Sequence, residues 1–239
     1  MIDIHTHIIY DVDDGSDALD ESIAILKKAV SNGVTDIIFT PHYLGVTEYN
    51  HERVEQNFNR IKEEIEKNKV MLKVYLGNEV AVYGNIIETL KDNAINKMAN
   101  SRYMLIEFPM NADVSYVIDT IYEMRVKHII PIIAHPERCE CFRRNYNRIK
   151  EAVEEGALIQ CNTGSLTGIY GKTAKKIVKK LLKDKLVHFL ATDTHTIANK
   201  RYDDLQKVET IVEKIVGKYE KNKLFIYNAR NVILDLDIN

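Results

Sequence analysis

Five of the eight histidines, His5, His7, His42, His135 and His195, sit at or just after the ends of short apolar runs. Glu79, Glu107 and Asp193 occupy the same kind of position, and Asp14 follows shortly after the first run. These nine residues combine imidazole and carboxylate without a thiolate. That donor mixture suits Mn²⁺, Fe²⁺, Co²⁺ or Zn²⁺ rather than soft-metal or iron–sulfur chemistry, and its carboxylate share favours manganese. Four carboxylates in one cleft without cations would force some of them to protonate. Two divalent ions would balance them, and a third would make the cleft positive and receptive to a phosphate dianion. Between such ions a water loses its proton near neutral pH and becomes a nucleophile for phosphorus. In His5-Thr6-His7 the two histidines share a face if the segment is extended, so both imidazoles can grip one ion. His51, His128 and His188 lack this placement and read as surface or structural residues, and Asp3 reads as structural.

A phosphate site also needs a clamp, for which a guanidinium fork is well shaped. Arg138, three residues after His135 in AHPER, is placed for that role. Arg201, in the loop after Asp193 and His195 and beside Lys200, is a second candidate. A cysteine-based phosphatase route is excluded. It needs an arginine six residues after the cysteine, and Cys139, Cys141 and Cys161 are followed there by Asn145, Asn147 and Thr167. No G-x-x-x-x-G-K-[ST] loop is present, which disfavours an ATP-using enzyme.

The elements that must position these groups alternate in type. Apolar runs at Ile2–His5, Asp36–Thr40, Leu72–Gly77, Tyr103–Phe108, Ile129–Ala134, Leu158–Cys161 and Val187–Ala191 predict buried strands. Helical patterns fit 19–32, 48–67, 114–127, 146–155, 172–183 and 203–217, with Gly33 and Gly156 as stop signals. Such alternation implies parallel strands, in either an open doubly wound sheet or a barrel with seven strands instead of eight. Each run delivers a polar group to its C-terminal end, Asn162 serving for the sixth. Only a barrel brings all those ends to one mouth, so the pattern favours the barrel and a shared site together.

Composition sets outer bounds. Hydrophobic residues make up 45% and charged residues 28% of 239, with a formal net charge of −2. That describes a globular chain with a real core and no bulk charge for nucleic acid. No linker, repeat or low-complexity tract divides it, so one domain over 1–239 is expected. There is no signal-peptide pattern and no run near ~18 apolar residues, and the three cysteines suggest no disulfide framework. These features point to the cytoplasm.

The motifs MIDIHTHI…DVDDGS, TPHY at 40–43, GNEV at 77–80, AHPER at 134–138 and ATDTH at 191–195 resemble the polymerase-and-histidinol-phosphatase (PHP) superfamily. More narrowly they resemble its bacterial tyrosine-phosphatase branch, the manganese-dependent enzymes of capsule and exopolysaccharide gene clusters. The resemblance extends from residue 1 beyond 200. It implies a distorted (β/α)₇ barrel with a trinuclear centre. His5, His7, Glu79 and Asp193 would hold one ion. Glu79 would bridge to a second ion, shared with Glu107 and His135. Asp14, His42 and His195 would hold the third. Many superfamily members have histidine where this chain has Asp14 and Glu107, and the carboxylates resemble the tyrosine-phosphatase branch. Arg138 and Arg201 match that branch's phosphate-contacting arginines, although the loop before Arg201 is about one residue longer than the pattern. The implied substrate is phosphotyrosine on the tyrosine-rich tail of a membrane-associated bacterial tyrosine kinase. Tyr43 and Phe108 are candidates for aromatic contacts with it, whereas Tyr49 is expected to pack ordinarily.

Three other readings compete. One is a phosphatase for a small metabolite such as histidinol phosphate, or a phosphodiesterase. Another is a non-catalytic module docking on a kinase or polymerase, which the complete ligand set opposes. The third is an amidohydrolase, whose frequent bridging lysine has no counterpart here because Glu79 takes that role.

Overall fold

The computed structural model describes residues 1–197 and 204–238. Its strands are β1 (Ile2–Asp3), β2 (Asp36–Phe39), β3 (His42–Tyr43), β4 (Lys73–Leu76), β5 (Glu79–Ala81), β6 (Tyr103–Glu107), β7 (Ile130–Ala134), β8 (Leu158–Asn162) and β9 (Phe189–Ala191). All pairings are parallel, in the orders β1-β2-β4 and β3-β5-β6-β7-β8-β9. The two sheets are one surface. β2 runs on into β3 past Pro41, and β4 runs on into β5, held by Gly77 N–H to the Phe39 carbonyl at 2.8 Å and Glu79 N–H to the Pro41 carbonyl at 3.2 Å. The ends also meet. Asp193 N–H donates to the His5 carbonyl at 2.9 Å, His7 N–H donates to the Thr194 carbonyl at 2.8 Å, and Thr6 bridges Thr194 in parallel. The result is a closed, distorted barrel of seven parallel strands, two of them broken near the middle.

Two apolar layers follow from strand alternation. Ile2, Ile38, Leu105, Ile132, Phe189 and Ala191 fill the barrel interior. Ile37, Phe39, Ile106, Ile133, Ile159 and Leu190 face the surrounding helices. Ala229 and Val232, from the helix Asn228–Ile233, close the end opposite the site. The inward row then turns polar toward the C-terminal mouth. Glu107 continues the row of Tyr103 and Leu105, and Gln160 and Asn162 continue that of Leu158.

The expected helices appear as Leu19–Ser31, His51–Lys67, Val114–Val126, Asn147–Glu154, Gly171–Lys183 and Leu205–Val216. Side-chain caps explain several starts. Asn50 accepts from Arg53 N–H at 3.0 Å, and Asp113 and Asp204 accept from Ser115 and Gln206 N–H at 2.8 Å each. The helical pattern does not extend to 48 because Asn50 caps at that point.

Short helices at Ile86–Thr89, Glu140–Arg144 and Thr163–Thr167 were not expected, nor was the run Lys218–Asn222, π-helical Lys223–Tyr227 and Asn228–Ile233. Most of these are too brief for an amphipathic period to show. Strand β1 is also shorter than Ile2–His5, so His5 and His7 lie on an irregular segment. Asp3 ties β1 to β9, accepting from Thr192 N–H at 3.1 Å and the Thr192 hydroxyl at 2.6 Å. Among the described residues no helix is long and apolar enough to cross a membrane.

Candidate metal centre

All nine sequence-selected ligand residues meet at the C-terminal mouth. They fall into four overlapping groups, His7-Asp14-His42-His195, His5-His7-Asp193, His5-Glu79-His135 and His42-Glu79-Glu107, with donor atoms within 4.8 Å of one another in each group. Glu79, at the start of β5 and 1% exposed, is the hub. Its Oε2 lies 3.3 Å from His5 Nε2, 3.2 Å from His7 Nε2 and 3.1 Å from His42 Nδ1, and its Oε1 lies 3.0 Å from His135 Nε2. Asp193 Oδ1 faces His5 and His7 at 3.5 and 3.6 Å. Asp14, about half exposed, faces His195 at 3.3 Å and His42 at 3.5 Å. Glu107 is 3.6 Å from His135. Neighbouring groups share His5, His7, His42 and Glu79; one holds the expected Asp14-His42-His195 set with His7 added, one holds His5, His7 and Asp193, and the expected Glu79-Glu107-His135 set is divided between the other two.

The donor set fits cations on observations internal to this chain. His5 Nε2 and His7 Nε2 point at each other across 3.2 Å, with both other ring nitrogens engaged elsewhere. His42 Nδ1 and His195 Nε2 are buried ring nitrogens that stand near carboxylates without a proper hydrogen bond. The electrostatics agree. Burial lowers the His5 pKa, yet Glu79 and Asp193 lift it to about 9. Burial likewise opposes His42, but Asp14 and Glu79 raise it to about 11. Burial and the nearby Glu79 push Glu107 upward. The carboxylates thus demand positive charge, which the imidazoles carry as protons unless divalent ions supply it.

Side chains behind the ligands set their orientation. His5 Nδ1–H donates to Gln160 Oε1 at 3.0 Å, which fixes the tautomer that leaves Nε2 facing the cleft. The Gln160 amide donates to Asn162 Oδ1 at 2.8 Å, and Asn162 donates to Asp193 Oδ2 at 2.7 Å. His7 Nδ1–H donates to Asp13 Oδ2 at 2.8 Å, and His195 Nδ1–H donates to the Asp193 carbonyl at 2.9 Å. Asp13 also accepts the His42 backbone N–H at 3.0 Å. Its loop folds onto His7 because Gly15 is a glycine; a Cβ there would stand 1.9 Å from the His7 carbonyl oxygen. His135 and Asp193 have φ of 33° and 55°, a left-handed backbone that non-glycine residues rarely adopt and that recurs at functional sites.

Arg138 lines the same cleft, whose volume is about 510 Å³. Its Nη1–H donates to Asp193 Oδ2 at 2.8 Å, and the Tyr170 ring lies 4.6 Å from its Cζ. Arg201 and Lys200 lie outside the described residues. Tyr43 and Phe108 do not line this cleft. Both are buried; the Tyr43 hydroxyl donates to Asp92 at 2.6 Å, and Phe108 packs edge-on against Tyr116. Strand alternation turns these rings toward the helices, and Val12, Leu44 and Glu48 line the cleft instead. Tyr49 packs against Tyr43 as expected. His188 is structural, its Nδ1 accepting Ile159 N–H at 3.0 Å, and His51 pairs with Glu55 on its helix.

Sequence reasoning missed Asp13, Gln160 and Tyr170. The doubled aspartate in DVDDG and a glutamine inside an apolar strand were signals for the first two. Nothing local marks Tyr170.

The family model described as capsular polysaccharide synthesis, CpsB/CapC, matches residues 1–234. CapC of Staphylococcus aureus is 38% identical over 236 residues, covering 96% of this chain and 92% of CapC. The tyrosine-protein phosphatase YwqE of Bacillus subtilis is 34% identical over 218 residues, covering 91% and 85%. A crystal structure from work on YwqE of Bacillus subtilis and CpsB of Streptococcus pneumoniae, described as metal-dependent tyrosine phosphatases, superposes with a TM-score of 0.92. It is 32% identical, and the match covers 100% of this chain and 96% of that one. A histidinol phosphate phosphatase of Lactococcus lactis shares the fold at a TM-score of 0.59 and 15% identity. With a full-length sequence match and a closely superposing structure, this chain belongs to the CpsB/CapC family of capsular polysaccharide synthesis.

Proposed function

We propose that this chain is a single-domain, manganese-dependent protein-tyrosine phosphatase whose nine residues His5, His7, Asp14, His42, Glu79, Glu107, His135, Asp193 and His195 hold the ions. The observation that carries this reading is the Glu79 carboxylate, which has four imidazoles within 3.0 to 3.3 Å at the mouth of the barrel. Family membership supports the choice of phosphotyrosine. The substrate is the phosphorylated tail of a membrane-associated tyrosine kinase, its dephosphorylation regulates capsule or exopolysaccharide synthesis, and the enzyme works in the cytoplasm.

Divalent cations held by these nine residues would supply Lewis-acid polarisation of a phosphoryl group and activation of a water as nucleophile near neutral pH. The chain's own residues do the rest. Glu79 and Asp193 are buried anions that concentrate positive charge where phosphate arrives. Gln160 and Asp13 hold His5 and His7 with their protons on Nδ1, so that Nε2 of each faces inward. Arg138, already aligned by Asp193 and Tyr170, presents its remaining fork to phosphate oxygens, and Arg201 is proposed as its companion. A tyrosine phenolate, whose conjugate acid has a pKa of ~10, leaves without a strong general acid. None is therefore required of the cleft.

The test compares turnover of a phosphotyrosine peptide and of histidinol phosphate by Mn²⁺-loaded protein, before and after chelation, alongside a metal count. Chelation-sensitive turnover that favours the peptide is expected. Equal or better turnover of histidinol phosphate would reassign the substrate. Full activity after complete metal removal would overturn the reading.

A further inference from the structure

We propose that a second depression at the barrel mouth binds one apolar side chain of the substrate peptide, next to the phosphotyrosine. This rests on the phosphatase reading above. The depression has a volume of about 260 Å³; Tyr43, Leu44, Val46, Ala81 and Tyr83 supply its apolar wall, and Glu88 and Thr89 its polar edge. Leu44 also lines the metal cleft, so the two spaces are neighbours with Leu44 between them. Both lie over the same strands, since β3 carries His42 and Tyr43, and β5 carries Glu79 and Ala81.

Three exposed apolar side chains form part of the wall. Val46 is 72% exposed, Tyr83 61% and Leu44 45%. Contiguous exposed apolar side chains beside a polar cleft mark contact surfaces. The depression is also preformed. The Tyr43 hydroxyl is held by Asp92, and the Tyr116 hydroxyl donates to the Gly84 carbonyl at 2.7 Å, anchoring the loop beside Tyr83. Asn85 then caps the helix Ile86–Thr89, accepting Ile87 N–H at 2.8 Å. A preformed apolar wall binds without a large ordering cost.

Charge narrows the occupant. Among the described residues no basic side chain lines the depression; Glu88 at its edge is already paired with Lys91 at 2.7 Å, and Glu48 stands in the adjoining cleft. An acidic neighbour of the phosphotyrosine would find no cationic partner among the lining residues, whereas an aliphatic or aromatic one would be buried. In an extended peptide, side chains alternate between faces. Adjoining spaces are reached by neighbouring positions of such a peptide.

The test is a series of phosphotyrosine peptides with Leu, Tyr, Gly or Glu placed singly at each position up to three residues on either side. kcat/KM is measured with Mn²⁺-loaded enzyme, and p-nitrophenyl phosphate serves as a substrate without flanks. At one position Leu or Tyr should exceed Gly by about tenfold, the scale of burying one apolar side chain, and Glu should fall below Gly. The double variant Val46→Ser/Tyr83→Ser should erase that preference while leaving p-nitrophenyl phosphate turnover and thermal stability unchanged. A flat series with good turnover, or a preference that survives the double variant, would overturn this proposal alone. No turnover of any phosphotyrosine substrate would overturn it together with the phosphatase reading.

Discussion

Replacing Asp13 with asparagine isolates the contribution of a residue that orients ligands without being one of the nine. Asp13 Oδ2 accepts from His7 Nδ1 at 2.8 Å and from His42 N–H at 3.0 Å, and Oδ1 accepts from Gly15 N–H at 3.0 Å. All three partners are donors, but an asparagine side chain has one accepting oxygen and one donating nitrogen. If the nitrogen takes the Oδ1 position, Gly15 loses its acceptor and His7 keeps only a neutral one. If it takes the Oδ2 position, His42 N–H is orphaned and His7 must shift its proton to Nε2. That atom stands 3.2 Å from Glu79 and would no longer offer a lone pair to an ion. Exchanging a charge-assisted hydrogen bond for a neutral one costs about 1 kcal/mol, and orphaning a buried N–H costs about 1–3 kcal/mol. Cation affinity should therefore fall roughly 10- to 100-fold, in line with other outer-sphere substitutions. Calorimetric Mn²⁺ titration of metal-depleted D13N measures this directly, with circular dichroism to confirm the fold. Turnover should recover substantially at excess Mn²⁺. A folded D13N that binds Mn²⁺ as tightly as the unchanged protein would refute the orienting role.

Glu79→Gln removes the anion shared by four imidazoles. Activity should drop by orders of magnitude and the metal count should fall; near-normal turnover would contradict a bridging role. Tyr170→Ala removes the ring beside Arg138. A cation–π contact of about 0.5–1 kcal/mol predicts a KM for phosphopeptide raised about two- to fivefold with kcat little changed; steady-state kinetics would expose the opposite pattern. His188 gives a pH signature away from the ions. Burial and the nearby Lys223 hold its pKa down to about 4, below the ordinary 6.5, and its Nδ1 must stay unprotonated to accept Ile159 N–H. Its stabilising effect is complete above 6.5 and is lost as pH falls toward 4, on the order of 3 kcal/mol at most. Denaturant unfolding at stepped pH should show a shallower acid decline in His188→Gln; an identical decline would sink the assignment.

The barrel and the clustering of the nine candidate ligands were readable because two kinds of information coincide at the same residues. A parallel strand buried on both faces shows as a short apolar run, and in a barrel every such run ends at one mouth. His42, Glu79, Glu107, His135 and Asp193 each follow or end such a run, so the apolar pattern that located the strands also located the site. Where the pattern is weak the reading was poorer. The breaks after Phe39 and Leu76 were invisible, because Pro41, which has no N–H for the ladder, and Gly77 interrupt the pairing without changing the hydrophobic pattern. Tyr43 and Phe108 were expected near the cleft because they open the loops 43–51 and 108–114, yet one step along a strand reverses a side chain. Tyr170 reaches Arg138 from another loop, a contact that only tertiary packing creates.

The hydrogen bonds joining residues 5–7 to residues 193–194 have a temporal consequence. Of the four groups that would cradle the first ion, two come from the opening residues, one from β5 and one from a segment made nearly two hundred positions later. Until that late segment docks beside the first strand, the chain has only scattered imidazoles and no enclosure for a cation. Contacts of such sequence separation form late and slowly. Metal capture should then act as a latch on the finished circle, holding together the seam where the protein's beginning meets its later part.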